Sequence, residues 1–321
     1  MMTRRMPVLV VVFAAILLAL CSLLSCGQRP LSESLTATWR QSIKTDAFQE
    51  TTGVALSNST LFVSDSKQAT IYRLSVDGSA KSQWPKRSDV IGRPTHIHFG
   101  RDGRLYVPDL LEDRIWVYGG DGSLVQTLGE HGTGNGQFDS PAGVAVAEDG
   151  SIYVADFNNH RIQQFDHSGG FVRAWGKKGH HRPGSLNYPT DLAVGPDGNV
   201  YVADAYNHRI GVFTPTGKPL RSWGGKGHDA GEFDVAVGIA VDRQGRVYVA
   251  DQINHRVQVF TAEGRWLGMW GKAGNKPGEF DRPNDIAIGT DGRVYVADFG
   301  NARVQVFMIR KGADDDAVPK Q

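Results

Sequence analysis

The segment Tyr-Val-Ala-Asp occurs four times, at Tyr153–Asp156, Tyr201–Asp204, Tyr248–Asp251 and Tyr295–Asp298, with degenerate copies at Phe62–Asp65 and Tyr106–Asp109. The six aspartates are spaced by 44, 47, 48, 47 and 47 residues. A fixed period of this size marks a chain built from one supersecondary unit that buries its apolar face only against its neighbours. Five residues after each of the last five aspartates stands an arginine: Arg114, Arg161, Arg209, Arg256 and Arg303. In the first copy that place holds Thr70.

Each copy reads as four short strands. Gly143–Val146, Ile152–Ala155, Ile162–Phe165 and Phe171–Trp175 typify them, all rich in β-branched or aromatic residues and bounded by Gly, Asp or Asn. Asp149-Gly150, Asp197-Gly198 and Asp291-Gly292 supply tight turns between first and second strands. Four antiparallel strands per repeat is the unit of a β-propeller. First, second and third strands occur six times, but the sixth copy stops at Phe307 without its fourth. Leu35–Trp39 aligns with Phe171–Trp175, and Trp39 stands nine residues before Phe48, close to the ten from Trp223 to Phe233. The sequence therefore predicts an all-β, six-bladed propeller whose last blade is completed by the N-terminal strand. That pairing removes two edges that would otherwise invite aggregation.

Charge narrows the function. Lys+Arg is 35 against Asp+Glu 34, a balance that opposes a dedicated nucleic-acid binder. The two cysteines, Cys21 and Cys26, both lie near the N-terminus, so the repeats hold neither a disulfide framework nor a cysteine metal site. Arg4 and Arg5 precede an apolar run from Val8 to Leu24, the pattern of a secretory signal peptide. The run ends in Leu23-Leu24-Ser25-Cys26, which resembles the bacterial lipobox. The expected order is a signal peptide over 1–25, a linker over 26–34 beginning at a lipidated Cys26, the propeller over 35–309 and a disordered tail over 310–321. The expected location is the cell envelope, with the chain exported and tethered to a membrane through that lipid.

The segments Asn158–Ile162, Tyr206–Ile210 and Ile253–Val257 complete a pattern, YVAD-x-x-NHR[IV], that resembles the NHL repeat. The resemblance covers residues 35 to about 309. The sixth copy, Asn301-Ala302-Arg303, lacks the His, and the first two are degenerate. NHL propellers include RNA binders, protein-interaction modules, receptor sensor domains and a few enzymes, so the fold alone transfers no activity. The NHL-type amidating lyases place metal-binding histidines directly after the proline that leads into a first strand. The matching residues here are Thr52, Thr95, Ala142, Thr190, Val237 and Asn284, none of them His.

Asp and His can serve acid–base chemistry, but a set repeated in every blade is spread around a ring and cannot converge on one substrate. The pairs Asp156/Arg161, Asp204/Arg209, Asp251/Arg256 and Asp298/Arg303 are therefore expected to hold their own turns, as short Asp side chains do. Trp175, Trp223 and Trp270 are expected to bury against neighbouring blades. Strand alternation puts the second-to-third turns and the loops between blades on one face. There Lys177, Lys178, His180, His181 and Arg182 form a basic lobe, with Lys226, His228, Lys272 and Lys276 in equivalent loops. These are the candidate ligand-binding residues. One asymmetry marks the channel: the first strands begin with Gly53, His96, Gly143, Asp191, Gly238 and Asp285. One His and two carboxylates could hold a divalent metal, although Gly and Asp are also ordinary choices for this position. The leading expectation is a monomeric, non-catalytic binding module, without cofactor, for an envelope protein or an anionic glycan or polymer. The alternative is a metal-dependent lyase or lactonase acting at the channel mouth.

Overall fold

The computed structural model describes residues 34–79, 81–85 and 91–311. The expectations for residues 1–25, Cys26, the linker up to residue 33 and the tail from 312 onward lie outside these residues. Six four-stranded antiparallel sheets follow one another along the chain, each one repeat, and together they make the six-bladed propeller. The compact unit runs Leu35–Lys311.

In every blade the first strand lines the channel and the fourth forms the outer wall. The apolar core lies between blades rather than inside them. One cluster joins Tyr248, Val257 and Leu267 of blade 5 to Phe280, Val296 and Phe307 of blade 6 and its entry loop. The tyrosines of the repeated segment, from Tyr106 to Tyr295, are fully buried. A two-residue side-chain period sends alternate residues of each strand toward opposite neighbours, which is why the second and third strands are buried almost throughout while the fourth is largely exposed. Trp175 and Trp223 are half-buried at the ends of outer strands. Each packs against the glycine of the next blade's outer hairpin: a Cβ on Gly217 would lie 2.5 Å from Trp175, and one on Gly264 2.7 Å from Trp223. Leu128 takes the equivalent place in blade 2.

The ring closes as expected, with one shift. Residues Leu35–Ile43 pair antiparallel with Arg303–Lys311, setting Leu35 opposite Lys311 and Ile43 opposite Val304. In blade 3 the residue equivalent to Val304 is Ile162, whose partner is Trp175. Ile43, 4% exposed, is therefore the structural counterpart of the repeat tryptophans, and Trp39, 37% exposed, is not buried. The closing strand has nine residues and a bulge between Trp39 and Gln41, so aligning it by its tryptophan misplaces it by four. The same pairing draws Arg310 and Lys311 into the strand, two residues beyond the propeller end expected at 309. Blade 2 departs in another way: its first strand is reduced to His98–Phe99.

Deleting residues 27–43 should leave the strand Arg303–Lys311 as an open edge and remove the Ile43 plug. Differential scanning calorimetry should show a melting temperature lower by ~10 °C or more, and light scattering should show self-association. An unchanged melting temperature in a monomeric protein would refute the closure.

Candidate functional site

The repeated polar residues form a clamp on the face that carries the long loops. Asp251, fully buried, accepts the Asp234 backbone N–H at 2.8 Å, Asn254 Nδ2 at 2.9 Å and Arg256 Nε at 2.7 Å. Arg256 then donates to the His228, Asp229 and Glu232 carbonyls of the preceding interblade loop. Asn254 donates to the Gly227 carbonyl of the same loop at 2.9 Å. Asp156/Arg161, Asp204/Arg209 and Asp298/Arg303 repeat the ion pair at 2.7–2.8 Å. Burial raises the pKa of each of these aspartates, and the arginine, asparagine and backbone donors oppose it. In the structure each of these four pairs bonds its own turn and carbonyls of the preceding interblade loop.

The histidine of the repeat has a role of its own. His160, His208 and His255 each sit at positive φ near 50°, and Nδ1 of each accepts the backbone N–H of Tyr188, Val235 and Arg282 respectively. Those residues also have positive φ and stand immediately before the next blade's first strand. Burial lowers the pKa of His160 and His208, consistent with a neutral, accepting imidazole. Asp113 replaces the histidine in blade 2 and accepts Ser140 N–H at 2.6 Å. His131 bonds the other Asp113 oxygen at 2.8 Å. With Asp139 these two form, among the described residues, a group whose ligand atoms lie within 4.8 Å of one another.

His96, Asp191 and Asp285 share one buried layer of the channel. Asp191 Oδ2 accepts the Ile239 N–H and Asp285 Oδ2 the Val54 N–H, both at 2.8 Å, each from the following blade. His96 Nδ1 lies 3.1 Å from the Ala142 carbonyl of blade 3, and Nε2 lies 3.1 Å from the Asn284 carbonyl of blade 6. Asn284 Nδ2 also lies 3.2 Å from Nε2, so Nδ1 faces a carbonyl while Nε2 faces both a carbonyl and an amide nitrogen. Glycine alternates with these side chains because the inner strands approach closely. A Cβ on Gly53 would lie 2.2 Å from the Thr95 carbonyl, and one on Gly143 2.7 Å from the Asp191 Cα. Burial works against charge on His96, but the Asp191 and Asp285 carboxylates and the two carbonyls hold its pKa above the ordinary value. Burial raises Asp285 to about 7 and also raises Asp191, with His96 opposing both shifts. The candidate metal set shares this layer, but among the described residues its ligand atoms do not all come within 4.8 Å of one another; each is bonded instead to the backbone of another blade. His98, one layer below, is pulled down to about 4 by burial.

Above this layer, on the loop face, the channel opens into a cavity of about 420 Å³. Its floor includes Thr52, Thr95, Thr190 and Asn284, and its wall includes Phe157, Tyr206 and Phe299. Tyr188 packs against the wall residues, tilted against Phe157 at 4.8 Å and edge-on to Tyr206 at 5.2 Å between ring centres. The sequence signal for this wall was available: each wall residue lies one or two positions after the repeated aspartate.

The basic loops divide by partner. Lys272 pairs with Glu279 at 3.4 Å, while His180 and His228 bond Asn207 and Asn254 through Nδ1. Lys177, Lys178, His181, Arg182, Lys226 and Lys276 are exposed. Among the described residues no carboxylate forms an ion pair with Lys177, Lys178 or Arg182, and Lys178 reaches toward the Tyr188 ring at 5.8 Å.

The NHL repeat pattern matches residues 138–165, 186–213, 233–260 and 280–307, which are the core of blades 3 to 6. The chain thus carries four NHL repeats within a six-bladed β-propeller. No curated protein matches it. A protein of unknown function from Bacteroides thetaiotaomicron superposes with a TM-score of 0.66 at 16% identity, over 86% of this chain and 76% of that one. A gluconolactonase from Xanthomonas campestris gives 0.64 at 17%, over 89% and 100%. A catalytically inactive variant of virginiamycin B lyase from Staphylococcus aureus, with quinupristin, gives 0.59 at 16%, over 88% and 90%. At these identities the likeness is one of fold.

Because Asp191, Asp285 and His96 all hold protons more tightly when folded, their contribution to stability is present in mild acid. It is lost as pH rises through about 7, the value for Asp285. Urea unfolding followed across this range should show stability falling with pH, with a shallower fall in Asp285→Asn. A stability that rises from acid to neutral pH in the wild type, or the same slope in both proteins, would contradict this assignment.

Proposed function

We propose that the chain is an exported, lipid-tethered, non-catalytic binding module that holds an envelope partner, a protein or an anionic glycan or polymer, on its loop face. One observation carries this reading. Lys177, Lys178 and Arg182 are exposed and, among the described residues, pair with no carboxylate, and Lys178 reaches over Tyr188 of the Phe157–Tyr188–Tyr206 aromatic group at the channel mouth. Aromatic surface with unpaired cations on a rigid scaffold is the composition of a recognition site. The clamp keeps these loops in place without using the exposed charges, so the cations are free to meet an anionic ligand. The opposite face is built from short turns such as Ala147–Ser151. The tether rests on the lipobox-like Leu23–Cys26, and a diacylglyceryl group on Cys26 is its mass-spectrometric signature.

An enzymatic reading draws on the lyase and gluconolactonase among the similar propellers. Its acid–base groups here would be His96, Asp191 and Asp285. All three are almost fully buried and bonded to backbone.

Replacing Lys177, Lys178 and Arg182 together with Ala should change stability by no more than ~0.5 kcal/mol per site and should weaken capture of anionic envelope polymer. Added salt should weaken capture by the wild type as well, since exposed charges are screened over ~8–10 Å. His96→Ala, Asp191→Ala and Asp285→Ala should lose stability without losing capture in the protein that remains folded. Turnover of a lactone or cyclic depsipeptide that disappears in those three variants would replace this reading with the enzymatic one.

A further inference from the structure

Seven residues after each repeated aspartate the chain places a side chain that covers the clamp. It is Tyr72 in blade 1, Trp116 in blade 2, and Gln163, Gln258 and Gln305 in blades 3, 5 and 6. In blade 4 alone the position is Gly211. The three glutamines are fully buried and make one set of contacts. Gln163 Oε1 accepts the Gly136 N–H at 2.9 Å, and its Nε2 donates to the Gln137 carbonyl at 2.6 Å and to Asp156 Oδ2 at 3.0 Å. Gln258 repeats this with Gly231, Glu232 and Asp251. Gln305 repeats it with Gly278, Glu279 and Asp298.

The receiving groups persist in blade 4 without the glutamine. By position they are the Gly184 N–H, the Ser185 carbonyl and Asp204 Oδ2. The Ser185 carbonyl and Asp204 Oδ2 are held by Arg209 at 2.7 and 2.8 Å, and no acceptor within the described residues takes the Gly184 N–H. All three residues line a cavity of about 210 Å³, bounded also by Arg209, Gly211, Phe213, Leu220 and His181. One donor and two acceptors thus stand in the arrangement that three other blades use to hold a primary amide. The apolar side is supplied by Phe213 and Leu220. A carboxylate in the same place would meet the Asp204 carboxylate, and a hydrocarbon would leave the Gly184 N–H unmatched, a cost once water is excluded.

We propose that this cavity is a binding site for a primary carboxamide, carried by a glutamine side chain of a partner or by a free small amide. The site stands on the repeat comparison. Where the ligand is a peptide, it rests in addition on the loop-face reading above, because His181 of the basic lobe borders the cavity.

Two probes test it against the full exported domain. One is propionamide, followed by NMR titration. The other is an acetylated acidic pentapeptide with a central glutamine and a free C-terminal carboxylate, compared with versions carrying methionine or glutamate at the centre. Propionamide should shift the Gly184 and Ser185 amide signals saturably, and propionate should not. The glutamine peptide should bind about tenfold more tightly than the methionine peptide. Gly211→Gln should fill the site from within. It should abolish the propionamide shifts and the glutamine preference and raise the melting temperature above that of Gly211→Ala, the control for a Cβ that would come 3.1 Å from the Phe213 ring. The Lys177/Lys178/Arg182 alanine variant should weaken all three peptides alike and keep the preference, so failure of the charge reading and failure of the amide site give different patterns. Propionamide binding without peptide preference assigns the site to free amides. Shifts that persist in Gly211→Gln, or no amide-dependent binding by either probe, would overturn the proposal.

Discussion

Everything on the loop face depends on the buried aspartate at the end of each second strand. It is placed by a strand that has no exposed residue, and in blades 3 to 6 it is fully buried with its arginine at 2.7–2.8 Å. An isolated buried carboxylate would be costly. Here the arginine, asparagine and backbone N–H donors satisfy it, and the same arginine and asparagine reach on to carbonyls of the preceding interblade loop. One residue therefore fixes a turn, a loop and the entry to its own blade. Packing between blades supplies the core, and the clamp decides where the long loops rest on it.

The channel follows from a second constraint, crowding. Six inner strands converge, and at the tightest layer three positions tolerate only glycine while three carry His96, Asp191 and Asp285. The two carboxylates tie each blade to the next through a backbone N–H, and His96 spans from blade 3 to blade 6. This layer separates the aromatic bowl of the loop face from a second cavity of about 230 Å³ lined by Val54, His98 and Ile286. These buried titratable groups thus tie blades to one another.

Much of this was legible from the residues. Period, strand count and closure follow from apolar alternation and turn chemistry, both local properties. The structural role of the Asp/Arg pairs followed from symmetry, since repeated residues cannot meet at one point. Three features were not legible. Ile43 was missed because a bulge changes the register of the closing strand, and the tryptophan at 39 offered a false landmark. Gln163, Gln258 and Gln305 look like exposed polar residues of an edge-near strand, and only the third dimension shows each of them beneath an interblade loop. The bond from each repeat histidine to the next blade's backbone joins residues 27 or 28 apart and has no sequence signature beyond the histidine itself.

The central claim is that the repeated polar set is a structural clamp and that recognition belongs to the loops it holds. Arg256→Ala tests it most directly, because it leaves Asp251 buried without its cation. Denaturant unfolding should show a loss of ~3–5 kcal/mol, as for other broken buried pairs, and hydrogen exchange should speed up selectively in residues 225–232. Native stability and unchanged exchange in that loop, together with loss of partner binding, would contradict it and make the repeated arginines part of the binding surface.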